Sequence, residues 1–215
     1  MIVAIDGPGA AGKGTLARRL AAHLGLSYLD SGKLYRAVAF RLLRHGGDPE
    51  READAVAAAE ALRPEDLDDP ALKGDDVAQI ATKAAIHARV REVLTTFQRR
   101  FASSPPGDAS GAVIDGRDIG TVVFPDAAIK LFVTASPDVR AERRTLELRQ
   151  RGQEAIYSRV LEELKARDAR DRGRAVAPLA IAKDAYVLDT TDLDPDAVFA
   201  AALAFIIART SQQAR

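Results

Sequence analysis

Short apolar runs recur along the chain, and helical patterns lie between most of them. Each run has four to six residues, many of them β-branched, which is typical of strands buried in a sheet. Strands that alternate with helices usually pair in parallel, with helices covering both faces of the sheet. We therefore predict an α/β fold with a five-stranded parallel sheet. Its strands are Ile2–Asp6, Ser27–Asp30, Ala112–Asp115, Ile129–Thr134 and Tyr186–Asp189.

The ends of the predicted helices carry recognisable signals. Gly25 and Gly46 suit the left-handed residue that closes a helix. Ser136 opens a later helix as its cap, and Pro195 opens the last. The apolar stretch at residues 197–208 is too short to cross a membrane and predicts a buried helix. These signals delimit predicted helices at Lys13–Leu24, Gly32–Arg44, Ser136 to about Gly152, Glu154–Arg172 and the segment from Pro195.

The strand pattern lapses for about 80 residues after Asp30. Helical patterns fill the gap at Glu50–Leu62, Asp76–His87 and Val90–Phe101. A segment rich in serine, proline and glycine at residues 103–108 then predicts a loop. We predict a core made of residues 1–30 and 111–215, with a helical subdomain inserted at residues 31–110.

Composition excludes several classes of protein. Lys and Arg number 31 and so do Asp and Glu, which speaks against a strongly basic binder of nucleic acid polymers. Cysteine is absent, which excludes disulfides, thiolate zinc sites and cysteine nucleophiles. An apolar strand follows Met1 directly, so we expect no signal peptide and a cytoplasmic location.

The strongest chemical signal is the sequence GPGAAGKGT, which follows the first strand and opens a helix. Such a turn binds phosphate through backbone N–H groups and the helix dipole. Lys13 adds a positive charge that reaches the outer phosphates of a nucleotide. Gly14 stands where Ser or Thr usually follows the lysine, and the hydroxyl comes one residue later. The predicted nucleotide phosphate site is Gly7, Pro8, Gly9, Ala10, Ala11, Gly12, Lys13, Gly14 and Thr15.

The ending GKGT, with Pro8 after the first glycine, resembles the nucleoside monophosphate kinases. Three further segments narrow the resemblance: DSG at residues 30–32 followed by Tyr35 and Arg36, GRDIGTVVFPDA at 116–127, and RDARDRGRAVAPL at 167–179. Together they make the chain resemble the bacterial cytidylate kinases along essentially its whole length. The resemblance implies a P-loop kinase fold with a helical nucleotide-monophosphate-binding subdomain and a short lid at about residues 144–157.

The activity that this resemblance implies is transfer of the γ-phosphoryl group of ATP to CMP or dCMP, as part of pyrimidine nucleotide metabolism. The cofactor would be Mg²⁺ and the partners small nucleotides, with no nucleic acid polymer and no membrane. We expect a monomer. A kinase acting on AMP, UMP or shikimate stays open as an alternative, and so does a nucleotide-binding module without turnover.

The resemblance also implies roles for individual residues. Lys13, Arg117 and Arg167 are implied in catalysis. The implied acceptor site takes Arg36 and Arg117 for the phosphate, and Arg167, Asp171 and Arg174 for the sugar and phosphate. Arg91, Asp118 and the hydroxyl of Thr82 are implied at the cytosine base, although the family commonly has Ser at the last position. Ser31 and Tyr35 complete the implied acceptor site.

A helical stripe supports part of this site on physical grounds. Tyr157, Val160 and Leu164 recur at three- and four-residue spacing, and the same stripe continues to Arg167, Asp171 and Arg174. The pattern places these charges on the core-facing side of the helix. The alternative is a set of ordinary ion pairs on a solvated helix end.

Alternatives remain for other polar residues. Asp115 ends the third strand, where it would hold Mg²⁺ through water together with Thr15 or would cap the next turn. Without the resemblance, Arg91 would be a surface cation and Asp118 a turn residue. The basic tract near the predicted lid would contact ATP phosphates or form a solvated face. It consists of Arg140, Arg143, Arg144, Arg149 and Arg151.

Overall fold

The computed structural model describes residues 1–213 and contains five strands and eight α-helices in that range. The strands are β1 Ile2–Asp6, β2 Ser27–Asp30, β3 Ala112–Gly116, β4 Ile129–Thr134 and β5 Tyr186–Asp189. The helices are α1 Lys13–Leu24, α2 Ser31–His45, α3 Glu52–Glu60, α4 Asp75–Ala84, α5 Ala88–Ser103, α6 Pro137–Gln150, α7 Tyr157–Arg172 and α8 Pro195–Gln213.

The strands form one parallel sheet in the order β2-β3-β1-β4-β5, which confirms the predicted fold class. β1 lies at the centre, with Val3 opposite Val113 of β3 and Ile129 of β4. Val3 and Ile5 are fully buried, as expected for a strand covered on both faces. The strand order reverses at β1, so ligands of such sheets bind at its carboxyl end.

β5 differs from the prediction of a buried run. Only Leu188 of this strand is buried, while Tyr186 and Val187 are 37% and 48% exposed. The reason is position, because β5 is an edge strand that pairs with β4 on one side only. Tyr186 stacks on Phe205 of α8, with ring centroids 4.7 Å apart. An apolar run of four residues does not distinguish an edge strand from a central one.

Several helices differ from their predicted limits. α2 begins at Ser31 because the Asp30 side chain accepts hydrogen bonds from the N–H groups of Gly32 and Lys33. α7 begins at Tyr157, three residues later than predicted. The prediction missed two 3-10 turns, Pro64–Asp68 and Pro70–Lys73, which begin with proline.

The last helix is buried on one side only. Val198, Ala202 and Ile206 of α8 pack into the core, but Ile207 is 55% exposed, so the prediction of a buried helix holds for that one face. None of the described helices has the length and apolar character needed to span a membrane.

The chain divides into two compact units. The sheet unit comprises residues 1–29 and the chain from Pro105 onward, and the helical unit comprises Asp30–Ser104. Residues 105–110, which the sequence assigned to the insert, belong to the sheet unit. Two bonds tie them there: Ser27 Oγ donates to the carbonyl of Pro106 at 3.1 Å, and the N-terminal amine of Met1 donates to that of Ser110 at 2.9 Å.

Candidate active site

The glycine-rich loop lies between β1 and α1, at the carboxyl end of the central strand. Gly7 has a φ of 145°, and a Cβ atom there would lie 1.9 Å from the carbonyl oxygen of Val133. Gly12 caps α1 with a φ of 90°. Both positions therefore require glycine. Ala10 also has a positive φ, 58°, without being glycine.

Lys13 lies in the first turn of α1 with its side chain folded back over the loop. It is 6% exposed, and its Nζ donates to the carbonyl of Pro8 at 2.7 Å. Burial lowers the pKa of Lys13 to about 7, and the positive charges of Arg117 and Arg167 act in the same direction. The carboxylates of Asp115 and Asp6 oppose that shift. Net positive potential at this point suits a bound phosphate, which would favour protonated lysine.

Three arginines lie around the Asp171 carboxylate, beside the loop. It is 2% exposed and accepts from Arg117 Nε at 3.0 Å and from Arg174, while Arg167 Nε lies 4.0 Å from its Oδ2. A Cβ built on Gly9 would lie 3.8 Å from Arg117 Nη2 and 4.0 Å from Arg167 Nη1. The structure thus brings Arg117 and Arg167 to the loop as neighbours.

The predicted helical stripe is partly wrong. Arg167 is exposed, at 52% of its side chain, and α7 ends at Arg172, before Arg174. The buried residues that follow Leu164 are Asp168 and Asp171. With 3.6 residues per turn, the core-facing track passes through positions four and seven residues after Leu164, and not three.

Asp115 and Thr15 lie in different surroundings. Asp115 is 6% exposed and accepts a hydrogen bond from the Tyr28 hydroxyl at 3.3 Å. Gly14 faces it, since a Cβ there would lie 3.7 Å from Asp115 Oδ2, whereas Thr15 is exposed. Mg²⁺ usually keeps several waters and binds one or two carboxylates plus substrate phosphates, and one buried carboxylate near Lys13 fits that need. Among the described residues no cluster of three or more acidic or histidine side chains forms a cage for a cation.

Asp6 is a site residue that the sequence did not reveal. It ends β1 and accepts hydrogen bonds from the N–H groups of Ile119 and Gly120 at 2.8 and 2.7 Å. Burial raises its pKa to about 6, and the nearby Asp118 adds to the shift, while the two N–H groups and Lys13 lower it. Asp6 thereby fixes the π-helical turn that follows Arg117 and Asp118.

Asp118 also has a structural role in that turn. Its carbonyl accepts from the N–H groups of Val122 and Val123 at 2.9 and 3.1 Å, so it is a turn residue, and its side chain is half-buried. The turn Ile119–Val123 was not predicted as an element.

In the helical unit, Arg91 is buried and not a surface cation. It is 7% exposed, and its guanidinium carbon lies 5.8 Å from the ring centroid of Tyr35. Thr82 is exposed, and its hydroxyl donates to the carbonyl of Ala78, one turn earlier in α4, at 3.1 Å. Burying an arginine is costly for stability, and a facing aromatic ring offsets only part of that cost, which favours a binding role for Arg91.

Two more predicted acceptor residues lie on α2. Ser31 is its first residue and is 6% exposed. Arg36 donates from Nη1 to the carbonyl of Leu72 at 2.9 Å, within the helical unit.

The basic tract divides into two groups. Arg140 is 2% exposed and bonded to Gly9 and Asp168, and Arg143 bonds Thr190. These two are not a solvated face. Arg144 and Arg151 instead pair with Glu147, and Arg149 donates to the carbonyl of Ala155.

The loop at the central strand, with Lys13 and two arginines beside it, defines a P-loop kinase. Solved structures share the fold at low sequence identity. A gluconokinase from Sinorhizobium meliloti 1021 superposes with a TM-score of 0.50 and 14% identity, covering 99% of this chain and 97% of that one. An uncharacterized protein from Eubacterium ventriosum gives a TM-score of 0.53 and 17% identity, covering 98% of each.

Sequence comparison identifies the particular family. The model of the family described as cytidylate kinase matches residues 3–208. The cytidylate kinase of Paramagnetospirillum magneticum is 60% identical over 95% of this chain and 97% of its own length. That of Rhodospirillum rubrum is 53% identical over 99% of this chain and all of its own. The chain belongs to the cytidylate kinase family.

Proposed function

We propose that this chain transfers the γ-phosphoryl group of ATP to CMP or dCMP, giving ADP and CDP or dCDP. The observation that carries the proposal is the convergence of Lys13, Arg117 and Arg167 at the glycine-rich loop, in a chain of this family. Phosphoryl transfer depends on positioning and on positive charge around the moving group, so it requires no covalent nucleophile.

We assign the loop residues 7–15 to the phosphates of ATP. The N–H groups at the start of α1 would hold the inner phosphates, and Lys13 would follow charge on the outer ones. Arg117 and Arg167 would stabilise the transferring phosphoryl group, because their guanidinium groups already lie beside Gly9. Asp171 holds Arg117 in that place through its carboxylate.

Mg²⁺ is the cofactor that we propose, held through water by Asp115. When bound, it would neutralise charge on the phosphates of ATP. Because Thr15 is exposed, we expect it to contribute less than Asp115 to holding Mg²⁺. Asp115→Asn should therefore raise the Mg²⁺ concentration needed for half-maximal activity more than Thr15→Ala does, in a magnesium titration. An equal or larger effect of Thr15→Ala would contradict this order.

For the acceptor, we assign its phosphate to Arg36 and Arg117, and its sugar and phosphate to Arg167, Asp171 and Arg174. Ser31 and Tyr35 would complete this part of the site. A dianionic phosphate suits arginine because the planar guanidinium offers paired N–H donors.

For the base, we assign Arg91 and Asp118, with the hydroxyl of Thr82 as a further contact. Cytosine presents acceptors at O2 and N3 and an amine at N4, so its recognition needs donors and a carboxylate. Uracil has an acceptor at O4, which would face the Asp118 carboxylate and leave it unpaired. UMP should be rejected by more than about 200-fold, because a site built to hydrogen-bond one group strongly disfavours a substrate that lacks it.

The segment at residues 144–157 is our proposed lid. Closure would shield the phosphoryl group from water, which otherwise competes as an acceptor. With CMP and a non-hydrolysable ATP analogue, hydrogen exchange should slow in residues 144–157 and in the helical unit. Protection confined to residues 7–15 would favour a rigid binding module.

A coupled assay of ADP release tests the function. MgATP is offered with CMP, dCMP, UMP, AMP, GMP or shikimate, and only CMP and dCMP should support rapid turnover. Rapid turnover with AMP or shikimate, or none with any acceptor, would overturn the proposal.

The same assay tests the base contacts. Arg91→Met and Asp118→Ala should each raise the KM for CMP at least about 10-fold, since each removes a charged hydrogen bond. Each should also reduce the preference of the enzyme for CMP over UMP. The KM for ATP should change by less than about twofold. Arg89→Met and Asp126→Ala are matched controls on exposed neighbours in the same segments. Wild-type kinetics in both test variants would show that other residues contact the cytosine.

The cytoplasmic location and the monomeric state of this chain stay predictions.

A further inference from the structure

Arg140 lies on the first turn of α6, and its side chain points into the protein. It is 2% exposed although arginine is rarely buried. Each of the three nitrogens of its guanidinium group has a partner: Nε donates to the carbonyl of Ala135 at 3.0 Å, Nη1 to that of Gly9 at 3.2 Å, and Nη2 to Asp168 Oδ2 at 2.7 Å.

Asp168 supplies the charge that makes this burial tolerable. It lies on α7, its side chain is 7% exposed, and Arg140 is its ion-pair partner. A buried ion pair seldom adds to stability compared with apolar side chains that fill the same space. The pair therefore needs another explanation, and its contact with the loop offers one.

A second contact acts on the same loop two residues later. The hydroxyl of Thr190, which is 2% exposed, donates to the carbonyl of Ala11 at 3.2 Å. Arg143 holds Thr190 in turn, by donating to its hydroxyl at 2.9 Å and to its carbonyl at 2.7 Å. Two carbonyls of the loop thus have donors from outside it.

These contacts fix the direction of the peptide groups. In a trans peptide the C=O and the following N–H point in opposite directions. Holding the carbonyls of Gly9 and Ala11 therefore aims the N–H groups of Ala10 and Gly12 away from Arg140 and Thr190. Donors oriented in advance bind an anion without further ordering.

We propose that Arg140, with Asp168 as its counterion, and Thr190, held by Arg143, are positioning residues that set the peptide orientation of the loop for ATP. This inference rests on the proposed binding of ATP phosphates by residues 7–15. None of the four side chains needs to touch the nucleotide. Arginine is required at position 140 because a single lysine Nζ cannot replace three donors that diverge from one planar group.

Steady-state kinetics with each substrate varied in turn test the proposal. Arg140→Lys keeps the positive charge but cannot make all three hydrogen bonds. Asp168→Asn keeps an acceptor for Arg140 Nη2 but removes the negative charge. Both should raise the KM for ATP at least about 10-fold and lower kcat, since small misplacements at a site cost up to about 100-fold. The KM for CMP should stay within about twofold.

Asp184→Asn is the matched control. Asp184 is also the carboxylate partner of a buried cation, Lys130, which likewise donates to a backbone carbonyl, that of Pro125. No contact joins that pair to the glycine-rich loop among the described hydrogen bonds. The control should lower the melting temperature without changing the KM for ATP.

Thr190 provides a test that does not depend on the folding of the Arg140 variants. Thr190→Val removes the donor to Ala11 and should raise the KM for ATP about 3- to 10-fold, and Thr190→Ser should restore it. If Thr190→Val and any folded Arg140 variant keep the wild-type KM for ATP, or if both KM values rise equally, the positioning role is overturned.

Lys13→Ala separates this result from failure of the ATP site itself. If Lys13→Ala abolishes turnover while the Arg140 and Thr190 variants behave as wild type, the loop binds ATP and only the positioning role fails. If Lys13→Ala also behaves as wild type, the assignment of the loop to ATP fails, and the positioning role fails with it.

Discussion

Two groups of arginines on and just after α6 have different partners. In the anchored group, Arg140 and Arg143 bond to other elements and hold carbonyls of the glycine-rich loop, directly or through Thr190. In the outer group, Arg144 and Arg151 pair with Glu147, and Arg149 donates to the carbonyl of Ala155. The contacts of the outer group stay within a few residues of α6.

In the roles proposed above, burial and not residue type separates the positioning arginines from the lid arginines. A buried charge with a fixed counterion is costly to move, so Arg140 suits a part that must stay still. Exposed ion pairs contribute about 0 to 1 kcal/mol, so the outer group would exchange its partners for ATP phosphates at little cost in free energy. The proposed lid requires that property.

The largest expected effect lies at the anchored loop. Lys13→Ala should lower kcat at least about 100-fold, since it removes one preorganised charge from the transferring group. Coupled ADP release measures it, with Lys165→Ala, an exposed lysine of α7, as the control. Turnover near wild type would show that the loop does not depend on its lysine.

The loop should also make stability depend on pH. The pKa of Lys13 is about 7 in the folded protein and near 10.5 when unfolded, so the unfolded chain binds more protons between these values. The free energy of unfolding of the ligand-free protein should therefore rise with pH in this window. The contribution is about 1.4 kcal/mol per pH unit, or roughly 2 kcal/mol from pH 7.5 to 9.

Urea denaturation between about pH 7.5 and 9 measures this rise in the free energy of unfolding, and Lys13→Met should remove the rise. Asp6 does not interfere, because its raised pKa of about 6 makes stability fall with pH only at lower values, between about 4 and 6. A parallel pH profile for wild type and Lys13→Met would disprove the prediction.

In the outer group we expect a smaller and purely kinetic effect. Arg149→Gln should lower kcat about 10-fold if Arg149 leaves the carbonyl of Ala155 for a phosphate. The free energy of unfolding should change by less than about 0.5 kcal/mol, as for other exposed sites. Loss of stability without loss of kcat would reverse the contrast between the two groups.

The smallest effect concerns backbone strain in the loop. Ala10 has a φ of 58°, which costs about 1 to 2 kcal/mol for an L-residue. Ala10→Gly relieves this cost but adds backbone freedom to the unfolded chain, so the net gain should be about 0.5 kcal/mol. Ala22→Gly, at an exposed helical position of α1, should instead cost about 1 kcal/mol. Thermal denaturation compares the two, and a loss for both would show that the Ala10 methyl packing outweighs its strain.

Local patterns made most of the fold predictable. The glycine-rich loop, all five strands and the caps at Asp30 and Ser136 depend on neighbouring residues, which the sequence displays directly. The burial of Arg140, Asp168 and Asp6 depends on partners far away in the chain. The burial of Asp168 could have been predicted, because it lies four residues after Leu164 on the same helical face. Its pairing with an arginine of α6 could not.

The central place of β1 has a consequence for synthesis. Both strands that flank it come more than 100 residues later, with Ile2 opposite Ala112 and Val3 opposite Ile129. At about 5 to 20 residues per second, a ribosome needs roughly 6 to 26 s to reach β4 after making β1. During that time the first strand emerges as an apolar segment without its partners, while the helical unit, whose contacts are nearer in sequence, is already complete. β1 is thus made before the helical unit and enclosed after it.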